Sequence, residues 1–128
     1  PHVFIEKITI NEIKNIKKIW KINNLKEKFS KYHNDPEKTF ESWCEVWLSE
    51  GFSKWNIINL LGNITCPLLV IQGANDQYGT LKQIDLIEKN SSSLVKKVII
   101  DNCKHSPHLE KPKLVVDYIE KFIQYNLN

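Results

Sequence analysis

The fold of this chain is limited above all by a short, uninterrupted apolar run, Pro67 to Ile71. A run of this length without polar alternation is typical of a parallel strand covered on both faces. A second strand-like segment, Val95 to Asp101, follows a predicted helix that ends at about Lys89. Pro112 then opens a terminal helix. Because parallel strands are joined by helical crossovers, residues 62–128 are predicted to form a β-α-β-α unit of the α/β class.

The residues before this unit show helical periodicity and no strand alternation. Thr9 followed by Glu12 has the spacing of a capping box. Asp35 before Pro36 has the pattern of an N-cap followed by the first helical residue. The predicted helices are, in order, 10–21, Asn23 or Asn24 to His33, and Pro36 to Gly51. Residues 9–61 are therefore predicted to form a small all-helical unit.

The composition argues against two classes of partner. All 18 basic residues are lysine, whereas proteins that read nucleic acid rely on arginine for bidentate and stacked contacts. The longest apolar runs are far shorter than the roughly 20 residues needed to cross a bilayer. Three widely spaced cysteines and the lack of a secretory signal are typical of a reducing compartment. We therefore expect a cytoplasmic protein with neither nucleic acid nor a membrane as its partner.

Polar side chains with catalytic chemistry follow both predicted strands. Asp76 lies a few residues past the first strand and His105 a few residues past the second. The carboxyl ends of parallel strands meet at one edge of a sheet, where ligands and catalytic groups collect. We therefore expect a hydrogen bond between Asp76 and His105 at this edge. Asp101 is a weaker candidate for the acid. Such a pair is two members of an Asp–His–nucleophile relay. Between the strands, Thr80 and Gln83 form another capping-box pair that predicts the start of the crossover helix.

Two motifs carry a resemblance to a known family. The first begins at Ile64 as I-T-C-P-L-L-V-I-Q-G-x-x-D and ends at Asp76. The second runs from Cys103 to Pro112 as C-x-H-S-P-H-x-E-x-P. In this order they resemble the C-terminal end of an α/β-hydrolase, in which the acid precedes the histidine. The resemblance covers about residues 60–125.

The resemblance implies how the rest of the chain is organised. Residues 1–8 correspond to the exit of an upstream strand, residues 9–61 to the helical cap that many members carry, and residues 62–128 to the C-terminal part of the hydrolase sheet. No G-x-S-x-G motif is present, so the nucleophile is expected in sequence upstream of Pro1. Asp76 would then orient His105 for proton transfer from that serine. The chain alone is expected to be inactive and to act with an N-terminal half of the same hydrolase.

The family also implies a small-molecule substrate, an ester or a related carbonyl compound, and no cofactor. Trp43 and Trp47 lie on the aromatic stripe of the third helix, and Tyr78 lies next to the acid. These three side chains are predicted to contact substrate, although helix packing alone also explains such a stripe.

Three potential metal ligands lie close together in sequence, at Cys103, His105 and His108. A closed metal site needs four ligands at recognisable spacings. We therefore expect no metal, and His108 is expected to bond loop backbone or to cap the final helix.

The alternative is an inactive fragment that serves as an oligomerisation or binding module. Two parallel strands leave open edges and apolar faces that must be covered. A homo-oligomer or an N-terminal partner would then be required.

Overall fold

A computed structural model describes residues 1–20, 22 and 24–126. The chain divides into two compact units. The helical unit comprises Ile5–Trp55, and the sheet unit comprises Pro1–Phe4 together with the residues from Asn56 onward. Each unit is built from a few regular elements. The helices are α1 (Lys7–Ile19), α2 (Leu25–Ser30), α3 (Pro36–Leu48), α4 (Lys82–Asn90), α5 (Pro107–Glu110) and α6 (Pro112–Asn126), with 3₁₀ turns at Gly51–Lys54 and Ile58–Asn63, and the strands are β1 (Leu68–Gly73) and β2 (Val95–Ile100).

The helical unit is held by α1 packed against α3. Ile13 of α1 and Cys44 of α3 are fully buried. Directly after α1, the ring of Trp20 stacks on that of Phe40, with centroids 3.8 Å apart and planes within 3° of parallel. Phe29 of α2 meets both rings edge-on. Aromatic burial on this scale dominates the energetics of so small a core.

The predicted start signals in this unit have different outcomes. The N-cap prediction for α3 is confirmed, because Asp35 Oδ1 accepts a hydrogen bond from the Lys38 N–H at 3.0 Å and Pro36 opens the helix. The capping box at Thr9 is wrong, because α1 begins at Lys7 and Thr9 is a buried residue inside it. The N-cap position is held by Glu6, which makes no capping bond through its side chain.

The ends of two helices also differ from prediction. The helix predicted to reach His33 ends at Ser30. α3 ends at Leu48 instead of Gly51, because Ser49 is extended and the chain then enters a 3₁₀ turn. Asn24 lies before α2 with a left-handed backbone, and the alternative cap, Asn23, lies outside the described residues.

The sheet unit confirms the predicted α/β class. β1 and β2 pair in parallel, in a register that runs from Leu68 opposite Val95 to Gly73 opposite Ile100. A helix packs on each face of this two-stranded sheet. One core cluster joins Val70 to residues of α4, among them Ile84 and Ile87, and the other joins Val98, Ile100, Cys103 and Val115 of α6.

The N-terminal residues belong to the sheet unit through the side chain of Gln83. This fully buried amide accepts from the Val3 N–H at 2.8 Å and donates to the Phe4 carbonyl at 3.1 Å. Phe4 also forms an isolated antiparallel bridge with Asn56. The start predicted from Thr80 and Gln83 is wrong, because α4 begins at Lys82 and the N-cap position is held by Leu81, which makes no capping bond through its side chain.

Residues 56–61 also pack with the sheet unit, although their sequence pattern predicts that they belong to the helical unit. The Ile57 N–H donates to the Val3 carbonyl at 2.8 Å. Leu61 is buried in the same core cluster as Val70. In the described part of the chain, every helix is too short or too polar to cross a lipid bilayer.

Candidate active site

The loops that follow β1 and β2 are tied together by backbone hydrogen bonds. The Ala74 N–H donates to the Ile100 carbonyl, and the Asn75 N–H donates to the Cys103 carbonyl, both at 2.9 Å. Gly73 makes this approach possible, because a Cβ at that position would collide with the carbonyl oxygens of Cys103 and Lys104. The parallel pairing of the strands thus continues into the two loops, which carry the predicted acid and base.

Asp76 and His105 meet between these loops. The Asp76 Oδ1 and His105 Nδ1 atoms are 2.9 Å apart. The carboxylate side chain is 4% exposed and the imidazole is 39% exposed. Two further donors hold the carboxylate: the Tyr78 N–H contacts Oδ1 at 2.8 Å and the Gln72 Nε2 contacts Oδ2 at 3.3 Å. The acid is therefore fixed from three sides, while the imidazole keeps an open face.

The electrostatics of the pair determine which nitrogen of His105 carries the proton. Burial by itself would raise the pKa of the Asp76 carboxyl, but the hydrogen bonds from His105 and from the Tyr78 N–H outweigh it and leave the pKa lowered. The acid is therefore a carboxylate near neutral pH, and it can only accept a hydrogen bond. Nδ1 of His105 must then be the donor, so in the neutral imidazole it is Nε2 that presents a lone pair and can take up a proton.

This lowered pKa predicts a loss of stability in acid. Because the Asp76 pKa is lower in the folded chain than in the unfolded chain, the unfolded chain binds this proton more readily and protonation favours unfolding. The contribution is complete above the usual carboxyl value of about 3.9 and is lost as pH falls through the folded value. The free energy of unfolding, measured with urea across this pH range, should fall more steeply with acid for the wild type than for Asp76→Asn. An equal dependence of this free energy on pH in the two proteins would contradict the lowered pKa of Asp76.

Tyr78 lies against the Asp76–His105 pair, whereas Asp101 and His108 are not found in contact with it. The Tyr78 ring packs against the His105 ring with centroids 4.7 Å apart. Asp101 is exposed on the turn after β2, and Asp76 is the carboxylate that bonds His105. His108 lies on α5 and is exposed.

Trp43 and Trp47 lie on α3 in the helical unit, and both are half-buried. Trp43 packs near the Phe40 ring, with centroids 5.9 Å apart. The Trp47 ring is 5.2 Å from that of Phe52. Their predicted contact with substrate stays a prediction.

One side chain that supports the Asp76 carboxylate was not among the residues predicted from the sequence. Gln72, the penultimate residue of β1, is 1% exposed, and its Nε2 donates to the Gly79 carbonyl at 2.8 Å as well as to Asp76. It therefore joins the strand, the acid and the end of the loop. A polar residue that interrupts an apolar strand just before Gly73 is the signal that would have found it, since a buried amide needs partners.

A metal site is not formed among the residues that the structure describes, which contain no group of three His, Cys, Asp or Glu side chains placed to hold an ion.

The chain is similar to esterases and lipases. No family model matches it. A segment of 58 residues is 41% identical to a protein of Mycoplasma pneumoniae named "Putative esterase/lipase 2" and 43% identical to its namesake in Mycoplasma genitalium. This segment is 44% of the chain but only 21% of either relative.

The fold is similar to that of part of an esterase of known structure. The structure of a thermophilic esterase from Thermogutta terrifontis, determined with malate bound, superposes on 97% of the chain with a TM-score of 0.56 and 17% identity. The match covers 53% of the esterase chain, so the present chain spans about half of that protein. These similarities support the α/β-hydrolase-like relationship that the two sequence motifs predict.

Proposed function

We propose that this chain carries the acid and base of an α/β-hydrolase that cleaves an ester or a related carbonyl compound. The observation that carries the proposal is the hydrogen bond between Asp76 Oδ1 and His105 Nδ1, made by a buried carboxylate to an accessible imidazole. The likeness to the Mycoplasma proteins and to the Thermogutta esterase supports ester hydrolysis as the reaction class.

The reaction follows from the protonation state of the pair. Nε2 of His105 takes the proton of a serine hydroxyl as its oxygen attacks the carbonyl carbon of the ester, and the imidazolium is stabilised by the Asp76 carboxylate. The imidazolium then returns the proton to the departing alcohol. Water then attacks the acyl carbon while the same nitrogen takes its proton. The bond to the serine oxygen breaks, the imidazolium returns the proton to that oxygen, and the carboxylic acid is released. The serine and the donors to the oxyanion come from sequence outside these 128 residues.

Tyr78 is proposed to line the substrate site, because its ring packs on the imidazole. Trp43 and Trp47 are proposed as contacts for the acyl or alkyl group.

A second candidate is a binding or oligomerisation module without chemistry of its own. It is favoured by an open groove of about 430 Å³ along β1, which is lined by apolar side chains including Leu61, Ile64 and Ile87. Several apolar residues of α6 are also exposed, among them Val116 and Ile123. An uncovered surface of this kind is suited to another protein chain.

The test compares hydrolysis of short-chain p-nitrophenyl esters by the 128-residue chain and by the same chain with its upstream coding region restored. We expect activity in the longer form alone, and none when that form carries His105→Ala. The upstream region without residues 1–128 is the matched control and should be inactive. His108→Ala, which alters a neighbouring exposed histidine, should leave the rate unchanged.

Absence of activity from both forms, together with a stable oligomer of the short chain in light scattering, would overturn the hydrolase proposal and favour the binding module.

A further inference from the structure

The loop that carries His105 is held by a carboxylate that the reaction itself does not use. Glu110 Oε2 accepts from the Lys104 N–H at 2.9 Å, and Glu110 Oε1 accepts from the Ser106 N–H at 3.2 Å. The two oxygens of one side chain thus bind the backbone immediately before and immediately after the histidine. Hydrogen bonds to an ionised acceptor are among the stronger ones that a loop can form.

The position of Glu110 is itself determined by the short helix α5. Pro107 opens this single turn, and the Glu110 N–H donates to the Ser106 carbonyl at 3.0 Å. Glu110 and Ser106 are therefore joined twice, once through backbone and once through the side chain. The turn folds the carboxylate back over the loop, so α5 and the histidine loop form one closed unit.

The rest of the histidine loop has little regular structure to hold it. Asn102 turns the chain out of β2 with a left-handed backbone, at φ 51°. Cys103 is anchored by the Asn75 N–H. Beyond that anchor, the residues on either side of His105 bond the Glu110 carboxylate. Removal of the Glu110 carboxylate would leave the backbone on both sides of His105 without this acceptor, and the imidazole would be held less firmly against Asp76.

We infer that Glu110 is a positioning residue, which fixes the backbone around His105 and thereby the contact of the imidazole with Asp76. The kinetic part of this inference rests on the proposed function. Glu110 is exposed, so its bonds contribute little to global stability. A displacement of a catalytic group by about 1 Å lowers the rate on the order of 100-fold.

The test uses Glu110→Ala and Glu110→Gln, with Glu120→Ala as the matched control. Glu120 is an exposed glutamate of α6, so its replacement removes the same charge and the same side-chain atoms. Glu110→Gln keeps one oxygen that can accept and replaces the other with a donor. The kinetics are measured in the longer form, with the upstream region restored. We expect kcat for ester hydrolysis to fall roughly 10- to 100-fold in Glu110→Ala with KM little changed. Glu110→Gln should show an intermediate fall, and Glu120→Ala should keep wild-type kinetics.

A second readout does not depend on activity. In the 128-residue chain with labelled histidine, NMR reports the proton on His105 Nδ1, which lies downfield while it is bonded to a carboxylate. This resonance should move upfield or be lost in Glu110→Ala and persist in Glu120→Ala. Amide exchange in β1 and β2 shows whether each variant is folded. If Glu110→Ala does not fold, the resonance in Glu110→Gln tests the positioning role instead.

The two readouts separate the two proposals. Loss of the resonance in Glu110→Ala, in a protein that hydrolyses no ester in any form, would support the positioning role and overturn the proposed function. An unchanged resonance together with an unchanged kcat would overturn the positioning role. Equal losses in Glu110→Ala and Glu120→Ala would also overturn it, because the effect would then be one of charge alone.

Discussion

Replacing Asp76 with asparagine is expected to lower kcat for ester hydrolysis about 10⁴-fold in the form of the protein that is active. Asparagine is nearly the same size, so the loop should keep its shape. The amide carries no charge to stabilise the imidazolium, and wherever its nitrogen takes the place of Oδ1, His105 Nδ1 has to accept and the proton moves to Nε2. A protonated Nε2 cannot take the proton of the nucleophile. Steady-state kinetics with p-nitrophenyl esters measures the loss, and KM should change little because the proposed role of Asp76 is to act through His105.

Asp101→Asn is the matched control, since Asp101 follows the neighbouring strand and is exposed. It should retain the wild-type rate. The Asp76→Asn and His105→Ala changes should also not add, because the proposed reaction uses the two residues as one relay. A double variant far slower than the His105→Ala single variant would show that Asp76 acts by another route.

Replacing Gly73 with alanine is expected to destabilise the sheet unit by about 3 kcal/mol, at the upper end of the usual range for an overpacked site. The added methyl group would collide with backbone atoms of Cys103 and Lys104, and backbone cannot rotate aside as a flexible side chain does. The strand pair or the histidine loop must therefore shift. Amide hydrogen exchange of β1 and β2 measures the free energy of opening, and hydrolysis should fall as well because the loops carrying Asp76 and His105 separate.

Gly62→Ala tests whether the loss is specific to the site. A Cβ at Gly62 would lie 3.7 Å from the Ser92 Oγ and 3.8 Å from the Asn90 carbonyl oxygen, which are ordinary contacts. Its effect should stay within about 0.5 kcal/mol. If Gly73→Ala lowers the free energy of unfolding as little as Gly62→Ala does, the crowding at Gly73 is relieved at small cost.

The parts of the fold that the sequence predicted well are those decided by nearby residues. The apolar run of β1 and the crossover through α4 are local patterns, and they place Asp76 and His105 in adjacent loops. The cap at Asp35 involves atoms within three residues of each other. In each case the physical cause lies within the window that a pattern covers.

The parts that failed depend on distant partners. Gln83 has the spacing of a capping residue, yet its amide is satisfied by backbone at Val3 and Phe4, which is available only after the chain has folded. Gln72 and Glu110 stand in the quoted motifs, but their partners are backbone groups whose placement depends on the loop conformation. A sequence can indicate that a polar side chain is buried or holds a loop. It does not predict which atoms that side chain will bond in the folded chain.

The division into two units has a spectroscopic consequence. All four tryptophans lie in the helical unit, at positions 20, 43, 47 and 55. Tryptophan emission during denaturation therefore reports the melting of that unit, while exchange of the strand amides reports the sheet unit. Coincident transitions would mean that the chain melts as one cooperative body. Separate transitions would mean that the helical unit can lose its order while the Asp76–His105 pair remains assembled.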